Sequence, residues 1–118
     1  MQTKTYIDVE DCVRGILLGV ERSPAKPETG HAGKFQIINL STTGVTSVRE
    51  IAEETVHVVT EGKAQILYGS EPIGWVGDVP KTNLDVSRMD ALGFTPLLAS
   101  KDAVTQSIHE FFKWSAGA

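Results

Sequence analysis

Only one cysteine, Cys12, occurs in the 118 residues, so no disulfide can close within the chain. It falls in an apolar helical pattern and reads as a buried structural thiol. Long hydrophobic runs are also missing. The longest strongly apolar stretch, Ile16 to Val20, is far short of the roughly 20 residues that a membrane span requires. No basic-then-apolar segment opens the chain, and the expectation is a soluble cytoplasmic protein without a membrane partner. Basic clusters are lacking as well. With a net charge of -4 and scattered lysines and arginines, no Lys/Arg block can follow a nucleic-acid backbone, so nucleic acid is not an expected partner.

The phosphate-cradling motifs are absent too. A dinucleotide fingerprint needs G-x-G-x-x-G between a strand and a helix, but Gly69, Gly74 and Gly77 have the wrong spacing and precede no predicted helix. A P-loop fails because Gly74 is followed by Trp75 rather than by Lys. His31, His57 and His109 stand far apart, and none has a second His or Cys at ligand spacing, so no metal site is expected.

What is present is an ordinary globular composition, 41% hydrophobic and 22% charged. A chain of this length buries roughly two thirds of its unfolded surface, enough for one domain spanning 1–118. Thr5 to Val9 alternates and predicts a short strand. Asp8, Glu10 and Asp11 then suit a helix start, where carboxylates complement the free N–H groups; as acid/base residues they lack a distinguishing context. Val13, Ile16, Leu17 and Val20 follow helical spacing to about Arg22. Pro24, Pro27, Gly30 and Gly33 mark a long loop.

Phe35 to Leu40 reads as a strand. Ser47-Val48-Arg49-Glu50 is a capping box opening a helix with Val48, Ile51, Ala52, Thr55, Val56 and Val59 on one face, stopped by Gly62. Ala64 to Tyr68 and Thr82 to Asp85 predict two further short strands. Ser87 to Leu92 is a short helix ended by Gly93 in a left-handed conformation. Ser100 caps a last helix whose inner face is Val104, Ile108, Phe111 and Phe112. The order is α/β or α+β, with a small mixed sheet and about four helices.

Four of these segments, in this order, carry a resemblance. Lys4-Thr5-Tyr6-Ile7-Asp8-Val9-Glu10-Asp11, Ile38-Asn39-Leu40-Ser41, the Ser47 to Glu54 helix, and Trp75-Val76-Gly77-Asp78-Val79-Pro80 with Asp85-Val86-Ser87-Arg88 and Leu92-Gly93-Phe94-Thr95-Pro96 form one series. The series resembles the C-terminal, substrate-binding part of NAD-dependent nucleotide-sugar epimerases and dehydratases, in the extended short-chain dehydrogenase/reductase family. The resemblance implies that Lys4 contacts the nucleotide diphosphate, that Asp78 hydrogen-bonds the ribose, that Trp75 forms an apolar wall, and that Asp11 is structural. The main Rossmann half, which holds NAD in that family, has no counterpart, so no cofactor is expected in this chain.

The chain departs from the family pattern at three places. The catalytic Tyr-x-x-x-Lys is missing, because Tyr6 is followed four positions later by Glu10 and Tyr68 by Pro72; no catalytic residue is assigned. No arginine lies between Glu71 and Asp78 to pair with the diphosphate. Ser41 stands where the family carries glycine, and a positive φ there would strain it. The expectation is therefore the substrate-binding portion of such an enzyme, not catalytic alone; the alternative is a free-standing non-catalytic binding or assembly module of the same fold. The expected partners are a weakly bound nucleotide sugar and either a second copy or the missing cofactor-binding half. In relatives the helix carrying Val13 to Val20 packs against that half.

Overall fold

Six elements follow one another in the computed structural model, which describes residues 2–22, 37–70, 77, 79 and 81–117. They are β1 (Thr3–Lys4), α1 (Val9–Arg22), β2 (Thr46–Ser47), α2 (Val48–Thr60), α3 (Ser87–Ala91) and α4 (Ser100–Gly117). The strands pair antiparallel, Thr3 opposite Ser47 and Lys4 opposite Thr46. Four helices around a small sheet give the expected mixed class of helix and strand.

At α2 and α3 the local signals for helix ends act as the sequence predicts. Ser47 caps α2 through a complete capping box: its Oγ accepts from the Glu50 N–H at 3.2 Å, and Glu50 Oε2 accepts from the Ser47 N–H at 2.8 Å. At the other end of α2, Glu61 and Gly62 both turn left-handed, with φ of 54° and 76°. Gly93 ends α3 with φ 75°. There the Phe94 N–H reaches the Met89 carbonyl at 3.3 Å and the Gly93 N–H reaches Asp90 at 2.9 Å, the two bonds of a Schellman end.

The strands differ from expectation. Pairing ends at Lys4 rather than running through Thr5 to Val9, because the Tyr6 N–H is taken by Ser100 Oγ at 3.0 Å and Thr5 Oγ1 bonds the Gly44 carbonyl at 3.0 Å. Residues 37–40, the described part of the next predicted strand, and Thr82 to Asp85 have no ladder partner among the described residues. One carbonyl in each is held by a side chain: Ile37 accepts from Arg88 Nη1 at 2.8 Å, and Asp85 accepts from Asn39 Nδ2 at 3.0 Å. Ala64 to Tyr68 also lacks a ladder partner among the described residues. Its tyrosine lies under the Arg49 guanidinium, 4.0 Å from the ring centre.

The packing is polar at its tightest points. Among the described residues Met89, Phe94 and Ala103 are the buried apolar ones, whereas Asp8, Asp11, Thr46, Ser47 and Ser100 are buried polar ones. Helix α1 turns Asp11, Gly15 and Gly19 inward. Gly15 lets this face approach closely, since a Cβ would stand 2.8 Å from a Leu40 methyl, which would have to swing aside, and 3.3 Å from the Phe94 ring. Helix α4 also departs from the predicted face. Val104 and Ile108 are half-buried, but Phe111 is 67% exposed and meets Trp114 with ring centres 5.7 Å apart. No described element covers the last two turns. Ser100 is the first residue of α4 rather than its cap; the Ala99 carbonyl takes the first helical bond, from Ala103, at 2.9 Å.

Candidate functional site

Asp11 shows how one carboxylate organises the region. It is 2% exposed, and its Oδ2 accepts the Leu97 and Leu98 N–H groups at 2.8 and 3.1 Å, while Oδ1 pairs with Arg14. This joins α1 to the segment before α4, the structural role expected of it. Asp8 stays at the helix start, with Oδ2 accepting from the Glu10 N–H at 2.9 Å. Ser100 makes the second join. Its N–H bonds the Thr43 carbonyl at 2.9 Å, and its Oγ receives Tyr6 N–H and lies 2.9 Å from Thr46 Oγ1.

These joins hold open a cleft of about 850 Å³ between the first strand, the Ser41–Val45 turn and the segment 81–86. Thr3, Thr5 and Ile7 line one side at alternate positions, Met89 and Phe94 contribute apolar surface, and Lys81 and Asp90 supply opposite charges. Thr5 and Thr42 spend their hydroxyls on the carbonyls of Gly44 and Leu98. Thr82 and Thr95 also line the cleft, and their hydroxyls have no protein partner among the described residues. Such a lining can hydrogen-bond a polar, hydroxyl-rich or phosphate-bearing ligand over an apolar floor.

Lys4 sits in β1 between Thr3 and Thr5 and is not among the residues lining the cleft. Trp75 and Asp78 lie outside the described residues. Lys81 was not singled out by the sequence reading; its position directly after Asp78-Val79-Pro80 was the available signal. Ser41 is free of the strain anticipated for it. Among the described residues Glu61 is the one non-glycine at positive φ.

Among the described residues, the two titratable groups with displaced pKa values, Glu50 and Asp85, do not line the cleft. The Glu50 carboxylate is held below its ordinary range by the Ser47 N–H and hydroxyl, and Asp85 likewise by Ser87. Both are turn or helix-start carboxylates stabilised in their charged form. A second hollow, about 290 Å³, brings Glu50, Glu53, Glu54 and His57 near Lys101. Among the described residues no group of three or more His, Cys, Asp or Glu side chains could hold a metal ion. Nor does any described helix start suit a dinucleotide: α1 and α2 begin after Asp8 and Ser47, α3 and α4 after Val86 and Ala99, none of them after a glycine-rich turn. No described helix is long and apolar enough to cross a membrane.

The arrangement defines an epimerase-like fold. The crystal structure of a UDP-galactose 4-epimerase is similar to this chain with a TM-score of 0.71 and 24% identity, over 96% of this chain and 34% of that one. At that identity the likeness is one of fold, and the chain spans about a third of the length of the solved protein. No family model matches the chain, and no curated protein matches it in sequence.

Proposed function

We propose that this chain is the C-terminal, substrate-side portion of an NAD-dependent nucleotide-sugar epimerase or dehydratase, and that it does not catalyse by itself. The observation that carries this reading is the likeness to UDP-galactose 4-epimerase over 96% of the chain, taken with the four ordered sequence segments. The chemistry assigned to the site is recognition. Asp78 accepts from the ribose hydroxyls, Lys4 offers charge to the diphosphate, and Trp75 supplies an apolar wall. Lys81 and the hydroxyls of Thr82 and Thr95 lend further polar contacts from the cleft. A lysine gives charge but not the two-pronged grip of arginine, and no arginine stands between Glu71 and Asp78. Binding is therefore weak.

NAD belongs to the cofactor-binding half, which the complete reaction needs. The residues here do not fit it, since the sequence carries neither the glycine-rich fingerprint nor the Tyr-x-x-x-Lys that relays the proton in that family. The missing arginine also favours a second reading, a non-catalytic module that keeps the fold and has lost the ligand. Calorimetric titration of NAD and of UDP- or dTDP-sugars, with a turnover assay, tests the catalytic silence. The expected result is no heat from NAD and no sugar interconversion. Turnover by the pure chain would overturn the proposal.

A further inference from the structure

The cleft beside β1 offers more hydrogen-bonding capacity than the fold uses. Thr43, Thr82 and Thr95 line it, and their hydroxyls have no partner among the described residues. Asn83 and Asp90 line it too, and no other described residue engages either side chain. A hydroxyl or an amide both donates and accepts, whereas a carboxylate accepts. Val45 and Leu84 are part of the same lining. They are 57% and 50% exposed and keep apolar surface within a ligand's reach.

Two kinds of ligand match this lining poorly. A nucleobase stacks on an open aromatic face. Phe94 is the one aromatic side chain lining the cleft among the described residues, and it is 4% exposed. A diphosphate calls for clustered cations. Here one lysine, Lys81, stands against one carboxylate, Asp90, so the lining carries no net charge. A neutral ligand with many hydroxyls and some C–H surface fits both the polar groups and the apolar ones. The cleft, about 850 Å³, also lies within the range of small-ligand sites, roughly 300 to 1,000 Å³.

We infer that this cleft is a sugar site, built for a hexopyranose ring rather than for a base or a diphosphate. Thr43, Thr82, Thr95 and Asp90 bond the ring hydroxyls, and Val45 and Leu84 meet its C–H surface. Lys81, close after Asp78 in the chain, takes the phosphate to which the sugar is linked. The inference rests on the nucleotide-sugar reading for that linkage alone, and recognition of the ring stands apart from it. Trp75 and Asp78 then serve the nucleotide end.

Methyl galactoside, uridine and pyrophosphate, each titrated into the isotope-labelled chain, separate the three chemistries. The galactoside should shift the backbone amides of Thr43, Asp90 and Thr95, with half-saturation at about 10 mM. Uridine and pyrophosphate should leave those three signals in place. Asp90→Asn and Thr95→Val change exposed side chains and keep the fold. They should weaken the galactoside about fivefold and about threefold. A galactoside response with no UDP response at Trp75 to Asp78 upholds the sugar site and overturns the nucleotide assignment. UDP shifts at Asp78 with no galactoside response at about 100 mM overturn the sugar site. So does a galactoside response indifferent to both substitutions, or one that uridine reproduces.

Discussion

Where β1, β2, the inner face of α1 and the start of α4 meet, most of the buried side chains are polar; along one outer stripe of α1, the exposed ones are apolar. In the first region Ser100, Thr46 and Asp11 are among the least exposed side chains described, and every buried polar side-chain atom has a hydrogen-bond partner. In the second, five aliphatic side chains stand in water. The difference teaches which surfaces hold this chain together and which remain available. Directional bonds fix the N-terminal strand against α4 with one geometry, because an unpaired buried N–H is costly. The apolar stripe contributes nothing to that closure.

The contrast should be visible in stability, and Asp11 is where it should be largest. Asp11→Ala removes the acceptor of two backbone N–H groups and the partner of Arg14, and should cost about 3 kcal/mol. Ser100→Ala leaves the Tyr6 N–H and Thr46 hydroxyl without their partner and should cost about 2 kcal/mol. By comparison, Leu67→Gln changes a side chain that is 84% exposed and should stay within about 0.5 kcal/mol of the parent. Urea unfolding of the series measures all three. Equal losses at Leu67 and Ser100 would erase the distinction between the two kinds of surface.

A smaller effect concerns pH. The Glu50 carboxyl is held low in the folded chain by Ser47, so its stabilisation is full above the ordinary glutamate range and is lost as pH falls through the lowered folded value. The protection of the Ser47 and Glu50 amides, taken relative to the intrinsic exchange rate at each pH, should therefore fall as acid is added, while Glu50→Gln should show a flatter profile over the same window. A variant with the parent's acid dependence would remove Glu50 as the cause.

The helix boundaries were legible because their causes are local. Ser47 with Glu50, and Gly93 after Leu92, act within one turn of chain, and the structure uses them as read. The strands were not, because alternation announces a wish for a partner without supplying one. Phe35 to Leu40 and Thr82 to Asp85 read as strands, yet among the described residues neither has a ladder partner, and the Ile37 and Asp85 carbonyls go to Arg88 and Asn39. The role of Ser100 was hidden for a similar reason. A serine before a helix reads as a cap, and only the return of Tyr6 from 94 positions away shows what its hydroxyl holds. Of the proposed site, the sequence named Lys4, Trp75 and Asp78, whereas the threonine-lined cleft and Lys81 needed the fold to bring 3–7, 41–45 and 81–86 together.

The substrate-side assignment is tested most directly by titrating UDP into the isotope-labelled chain and following its backbone amide signals by NMR. Shifts are expected at Lys4, at Trp75 to Asp78 and at Lys81 to Asn83, saturating no more tightly than about 1 mM, and they should be lost in Asp78→Ala. Signals that do not move, or that move elsewhere and persist in Asp78→Ala, would contradict it.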